Sequence, residues 1–176
     1  AEDRCVVGSN PTRPIMKIVP FGDIGEDVLT EVCEEIRKNF GFPTETAKPM
    51  EIPKNENTYN FFRQQYIGPG VIKFLSKMFS GRILGILEED LYSDELNFVF
   101  GQAEFRGRVA IVSIYRLNPK FYGENNREKL IERTVKECLH EIGHTLGLEH
   151  CSNSSCVMSF SNTVWDVDRK SKTFCE

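Results

Sequence analysis

Residues 15–20, apolar except for Lys17, read as a β-strand. From Ile24 the apolar positions Val28, Leu29, Val32, Cys33, Ile36 and Phe40 recur mostly at three and four, which is one face of a helix, and Gly41 stands where such a helix ends. Residues 44–52 read as a second, weaker strand between prolines, so the first unit is β-α-β. Residues 60–79 carry a helical pattern broken at Gly68-Pro69-Gly70, and the apolar run 82–87 fits a buried strand, giving a second crossover of the same type. Residues 97–104 and 108–116, rich in Val, Ile, Phe and Tyr, flank a turn at Arg106-Gly107 and predict a hairpin. A long helix follows over 126–146, its apolar face set by Leu130, Ile131, Val135, Cys138, Leu139 and Ile142, and a short helix is expected over 162–174.

The elements predict a single α/β (α+β) domain: a twisted mixed sheet of four to five strands with helices beneath it. A chain of 176 residues is long enough to bury roughly 70% of its unfolded surface. With 27% charged residues and a net charge of −4 there is no basic footprint for nucleic acid and no polybasic surface for lipid. No apolar run approaches the length of a membrane span. Residues 1–15 lack the apolar region of a secretory signal, and their Gly, Ser, Asn and Pro content marks a flexible leader, so a cytoplasmic location is expected. Six cysteines at uneven spacing in a chain of this length point to metal binding for some of them rather than to a disulfide scaffold. Cys33 and Cys138 fall on apolar helix faces and read as core residues, and Cys5 sits in the leader without the surroundings of an inhibitory pro-segment.

Chemistry concentrates in residues 140–150, HEIGHTLGLEH, which hold all three histidines of the chain. His140 and His144, four apart, share one helix face and can reach one metal ion, and Gly147 lets the chain leave the helix sharply so that His150 can approach from another direction. Three imidazoles with a fourth position open make a catalytic rather than a structural zinc site. Glu141 projects beside the ion, where it can take a proton from an attacking water and pass it to a leaving amine. The alternative, three histidines without ligand function, leaves their clustering and the placed glycine unexplained.

The motif followed by Cys156-Val157-Met158 resembles the metzincin clan of zinc peptidases, whose signature continues into a methionine-containing turn. The resemblance implies that Met158 forms an apolar floor beneath the imidazoles. Cys151, Cys156 and Cys175, with Arg63-Gln64-Gln65-Tyr66, residues 84–91 and residues 97–103, narrow the resemblance to the archaemetzincins over most of residues 16–176. It implies a catalytic domain over 16–176, with an upper part to 147 and a smaller lower part, 148–176, carrying the methionine turn. It also implies a second, structural zinc held by Cys151, Cys156 and Cys175. Here the chain departs from the pattern: the family closes with a CxxC pair, whereas this sequence stops at Cys175-Glu176, and Met158 to Cys175 is one residue short. The fourth ligand is a cysteine beyond this sequence, water or another residue, and a Cys151–Cys156 disulfide is the competing use of the thiols.

The implied activity is hydrolysis of peptide bonds in peptides or proteins, with residues 97–103 as the edge strand that a substrate joins. Arg116 and Tyr122 are candidates for a substrate carboxylate or an oxyanion. Two competing functions are a silent zinc-binding peptide-recognition module, which would lack the glutamate or a ligand, and a hydrolase of small non-peptide amides, which would have a closed pocket. Oligomeric state leaves no sequence signal.

Overall fold

The structure, a computed structural model, describes residues 13–176. Cys5 and most of the expected leader lie outside the described residues. The chain opens with β1 (Met16–Phe21), crosses through α1 (Glu26–Phe40) and returns as β2 (Thr44–Thr46), parallel to β1. Gly41 ends α1 with a left-handed φ of 67° and donates to the Arg37 carbonyl, as the sequence predicts. Then come β3 (Tyr59–Asn60), β4 (Gln65–Ile67), α2 (Gly68–Met78), β5 (Arg82–Leu87) and β6 (Leu91–Tyr92). The hairpin β7 (Gly101–Ala103) and β8 (Val109–Ser113) precedes α3 (Arg127–Thr145) and α4 (Val164–Arg169).

The main sheet has the order β2-β1-β5-β8-β7, with β7 antiparallel to β8 and the other neighbours parallel. This is the expected mixed α/β sheet at five strands. Each strand of the parallel centre is buried on both faces, which is why β5 and β8 read as near-continuous apolar runs. Ile18, Leu84, Ala110 and Val112 face α1 and α3, while Val19, Ile83, Val109 and Ile111 face α2. Each fully buried Val, Leu or Ile among them contributes about 1.5–3 kcal/mol. Asn126 caps α3 by accepting from the Lys129 N–H at 3.0 Å.

Three expectations are corrected. Residues 60–67 are not helical but form a hairpin of a second sheet, β3-β4-β6. Asn60 Oδ1 accepts from the Phe62 and Arg63 amides, Gln64 takes a φ of 54°, and α2 starts only at the Gly-Pro break, where proline needs no partner for its missing N–H. The apolar spacing misled because Phe61 and Phe62 are exposed. The strand expected over 44–52 pairs for three residues, with a single later bridge from Met50 to Phe21; Pro49 has no N–H to continue the ladder. The helix expected over 162–174 spans only Val164–Arg169, six residues. A Thr163–Asp166 capping box starts it, and Lys170 leaves it in extended conformation.

Candidate metal centre and cleft

Helix α3 carries Glu137, His140, Glu141 and His144 at helical spacing on the side facing β7 and the loop after the helix. Gly147 ends the helical segment with a φ of 90°. Its N–H donates to the His144 carbonyl and the Leu148 N–H to the Gly143 carbonyl, the paired bonds of a Schellman turn. The turn does two things: it swings the chain back so that His150 meets the helix histidines, and it points the Leu148 carbonyl at His144.

His144 Nδ1 lies 2.8 Å from that carbonyl, and His140 Nδ1 lies 2.9 Å from the Val157 carbonyl. Only a protonated Nδ1 bonds a carbonyl, so both rings are held in the tautomer that leaves Nε2 as a bare lone pair. The Nε2 atoms converge: His144 Nε2 is 3.1 Å from His140 Nε2 and 3.2 Å from His150 Nε2. The bare nitrogens of His140 and His144 cannot bond one another, whereas a tetrahedral zinc with bonds of about 2.0–2.1 Å places its nitrogens about 3.3 Å apart. The donor set therefore fits a cation at the centre of the three rings. Desolvation depresses the pKa of all three histidines below the usual 6.5, His140 the most, which keeps them neutral and ready to ligate at pH 7.

Glu141 is buried, and its carboxyl is raised well above its usual value, first by burial and then by the Glu137 carboxylate. Its neighbour across the cleft is Gly101 of β7. A Cβ built there would sit 2.6 Å from Glu141 Cγ, 2.8 Å from Oε1 and 2.7 Å from the Ile111 carbonyl oxygen, so the edge strand can lie against the carboxyl only through a glycine. Gly143 plays the same part on the helix, where a Cβ would come within 2.5 Å of Met158 Sδ. Met158 thus packs under the ring-bearing turn of α3, and its neighbour Val157 supplies the carbonyl that orients His140.

Behind His140 sits a buried ion pair. Lys170, fully buried, places Nζ 2.8 Å from Glu137 Oε1, 3.3 Å from the Ser159 carbonyl and 3.4 Å from His140 Nδ1. The Glu137 oxygen lies outside hydrogen-bond geometry to any donor. The pair joins α3 to the segment after Met158.

The cleft over these groups has a volume of about 420 Å³. One wall is residues 96–103, the floor is Glu137, His140, Glu141 and His144, and the far side is His150 with Phe160, Ser161 and Asn162. Arg116 and Tyr122 are not among its lining residues. Arg116 is held in a bidentate pair with buried Asp90, at 2.8–3.1 Å, and Tyr122 donates to the Arg116 carbonyl. The carboxylate or oxyanion role considered for them has no geometric support.

A second cluster lies at the other end of the turn. Cys151 and Cys175 place their sulfurs 3.4 Å apart, and the Cys175 amide donates to Cys156 Sγ at 3.4 Å. All three thiols are free, so the Cys151–Cys156 disulfide is absent. Ligand atoms of the three lie within 4.8 Å of one another, as do those of the three histidines. Burial works against ionisation of Cys156, but amide donors such as Cys175 N–H and the neighbouring thiols outweigh it, whereas sharing with Cys151 and Cys156 pushes Cys175 up to about 11. Three convergent cysteine sulfurs are a fitting donor set for zinc.

The family model for peptidase family M54 matches residues 51–176. The chain belongs to the archaemetzincins. It is 42% identical to the archaemetzincin of Methanocaldococcus jannaschii over 160 residues, 90% of this chain and 87% of that one. The crystal structure of the Methanopyrus kandleri archaemetzincin superposes with a TM-score of 0.84 at 37% identity, covering 97% of this chain and 93% of that one. A zinc-dependent peptidase from Methanocorpusculum labreanum superposes with a TM-score of 0.81 at 30% identity, covering 91% and 95%. As an archaemetzincin the chain is a zinc metalloprotease acting on peptides or proteins, with a mixed α/β fold matching the archaemetzincin structures. Among the described residues no helix is long and apolar enough to cross a membrane.

The sequence reading missed Gly101, Glu137 and Lys170. Glu137 carried a signal, being three residues before His140 on the same helix face. Gly101 and Lys170 carried none, because each matters only through contacts made across the fold.

Proposed function

We propose that His140, His144 and His150 hold the catalytic zinc and that Glu141 is the general base of peptide hydrolysis. The observation that carries this reading is the convergence of three Nε2 atoms, two of them on rings whose Nδ1 is already committed to a backbone carbonyl. Zinc held by these three imidazoles would supply Lewis acidity toward the scissile carbonyl and the attacking water. Glu141 takes the proton of that water and delivers it to the leaving amine. Burial strengthens Glu141 as a base, and the close approach of β7 through Gly101 keeps it at one wall of the cleft. Met158 lies beneath as the apolar floor, and the chain divides functionally into an upper part, 16–147, and a lower part, 148–176.

The substrate joins β7. The bonds Ser113 N–H to Phe100 O and Glu104 N–H to Val109 O pair residues 100 and 104 with β8, so by alternation the N–H and C=O of Gly101 and Ala103 point outward from the sheet edge. An extended peptide can take up these groups along an open groove, which favours peptides over small amides. The intact Glu141 and the three histidines speak against a silent binding module. Gly101→Ala forces either β7 or Glu141 to shift by roughly an ångström, and kcat/KM is expected to fall about 10²-fold with the zinc content unchanged. A variant as active as the wild type would show that Glu141 does not depend on the close approach of the strand.

Cys151, Cys156 and Cys175 hold a second, structural zinc, with a fourth ligand that is not one of the described cysteines. The test is zinc per chain, measured on the purified protein and on the Cys151→Ser/Cys156→Ser variant. Two zincs falling to one, with the remaining metal lost only on histidine replacement, is the expected result. One zinc in both proteins removes the cysteine site, and none in freshly purified protein overturns the metal assignment as a whole.

A further inference from the structure

The edge strand β7 has two sides, and only one of them faces the histidines. Gly101 and Ala103 pair with Val112 and Ala110, which belong to the core beneath α1 and α3. Gln102 pairs with Ile111, which faces α2. Successive residues of any strand added to β7 must alternate in the same way, one side chain over the histidine cleft and the next toward α2.

On the α2 side lies a second concavity of about 450 Å³, lined by Ile72, Lys73, Ser76, Lys77, Gln102 and Glu104 among others. Its charges are not equally committed. Glu104 Oε2 accepts the backbone N–H groups of Arg108 and Val109 at 3.1 and 3.2 Å, which fastens it to its own hairpin. The Arg108 guanidinium is spent on the carbonyls of Ser76, Phe79 and Gly81 and on Ser76 Oγ. Lys73 and Lys77, four apart on α2 and both exposed, have no ion-pair partner among the described residues. A protein of net charge −4 thus presents two uncommitted ammonium groups over one flank of its substrate edge, while the opposite flank is floored by Glu137 and Glu141.

We propose that this concavity is a substrate subsite for an acidic side chain, Asp or Glu, at the position opposite Gln102, and that Lys73 and Lys77 set the preference. The inference rests on the reading that substrate joins β7. Because of the alternation, the acidic residue is next in sequence to residues whose side chains face the histidine cleft, so it lies within a residue or two of the scissile bond. Exposed ion pairs are individually weak and screened by salt, so the effect is a several-fold selectivity rather than an absolute requirement.

The test uses peptides that place Glu, Ala or Lys singly at each position around a cleavage site located by mass spectrometry. Binding to the zinc-loaded Glu141→Ala protein is read by fluorescence anisotropy, and cleavage by the wild type is read in parallel. At one position Glu is expected to bind about five-fold tighter than Lys at low salt, with the difference shrinking in 0.5 M salt. In Lys73→Glu/Lys77→Glu the preference at that position should vanish or reverse, with affinity for the all-Ala peptide unchanged. A charge preference that the double variant leaves intact, or none at any position, overturns the subsite while leaving the edge-strand reading standing. An all-Ala peptide that is neither bound nor cut overturns both.

Discussion

Glu141→Ala is expected to retain its full zinc content and to lose at least about 10²-fold in kcat/KM, the lower end of what a positioned general base contributes. The two halves of that expectation come from different atoms. Zinc is retained because the converging Nε2 atoms belong to His140, His144 and His150, and the first two rings are oriented by the Val157 and Leu148 carbonyls and not by Glu141. On the proposed mechanism hydrolysis is lost because the proton acceptor at the wall of the cleft is removed, a carboxyl whose burial raises its pKa. A 10²-fold loss is about 2.7 kcal/mol of transition-state stabilisation. Glu141→Gln should lose nearly as much, since the amide keeps the shape but not the basicity. Zinc analysis alongside hydrolysis of a quenched fluorescent peptide separates the halves: unchanged hydrolysis removes Glu141 from the mechanism, and lost zinc makes it a ligand or a structural support.

How legible this site was depended on whether its parts are local. The helix face, the spacing of His140 and His144 and the sharp exit at Gly147 are consequences of helical geometry within one short segment, so the sequence alone predicts them, and the Schellman turn supplies the physical detail. β5 and β8 were legible because burial on both faces leaves near-continuous apolar runs. The hairpin at 59–67 was not, because its turn depends on the Asn60 side chain and a positive φ at Gln64, while Phe61 and Phe62 imitate part of a helix face without being buried. Gly101 looks like any loop glycine until β7 is set against α3, and only then does the missing Cβ acquire a reason. Lys170 reads as a surface residue of a lysine- and serine-containing tail until the chain turns back and buries it.

That burial makes Lys170→Met the substitution with the largest expected effect on stability. Glu137 and Lys170 are both nearly inaccessible, at 4% and 0% side-chain exposure, so removing the ammonium leaves a carboxylate in a dry site with no directed donor to its Oε1. Breaking one side of a buried pair costs about 3–5 kcal/mol, a large share of the roughly 5–15 kcal/mol that holds a domain together. Lys170→Met/Glu137→Leu should recover most of that loss, because the desolvation cost of both charges disappears along with their attraction. Urea unfolding of the single and double variants in the presence of zinc measures the difference. A single variant within about 1 kcal/mol of the wild type would mean that water reaches Glu137 and that the pair is not dry. The zinc content of the double variant asks a separate question. Lys170 also bonds the Ser159 carbonyl, one residue after the Met158 floor and two after the carbonyl that orients His140. If the pair serves mainly to lock that segment against α3, the double variant should be as stable as the wild type yet hold the catalytic zinc less tightly. If packing alone positions the segment, stability and zinc affinity should recover together.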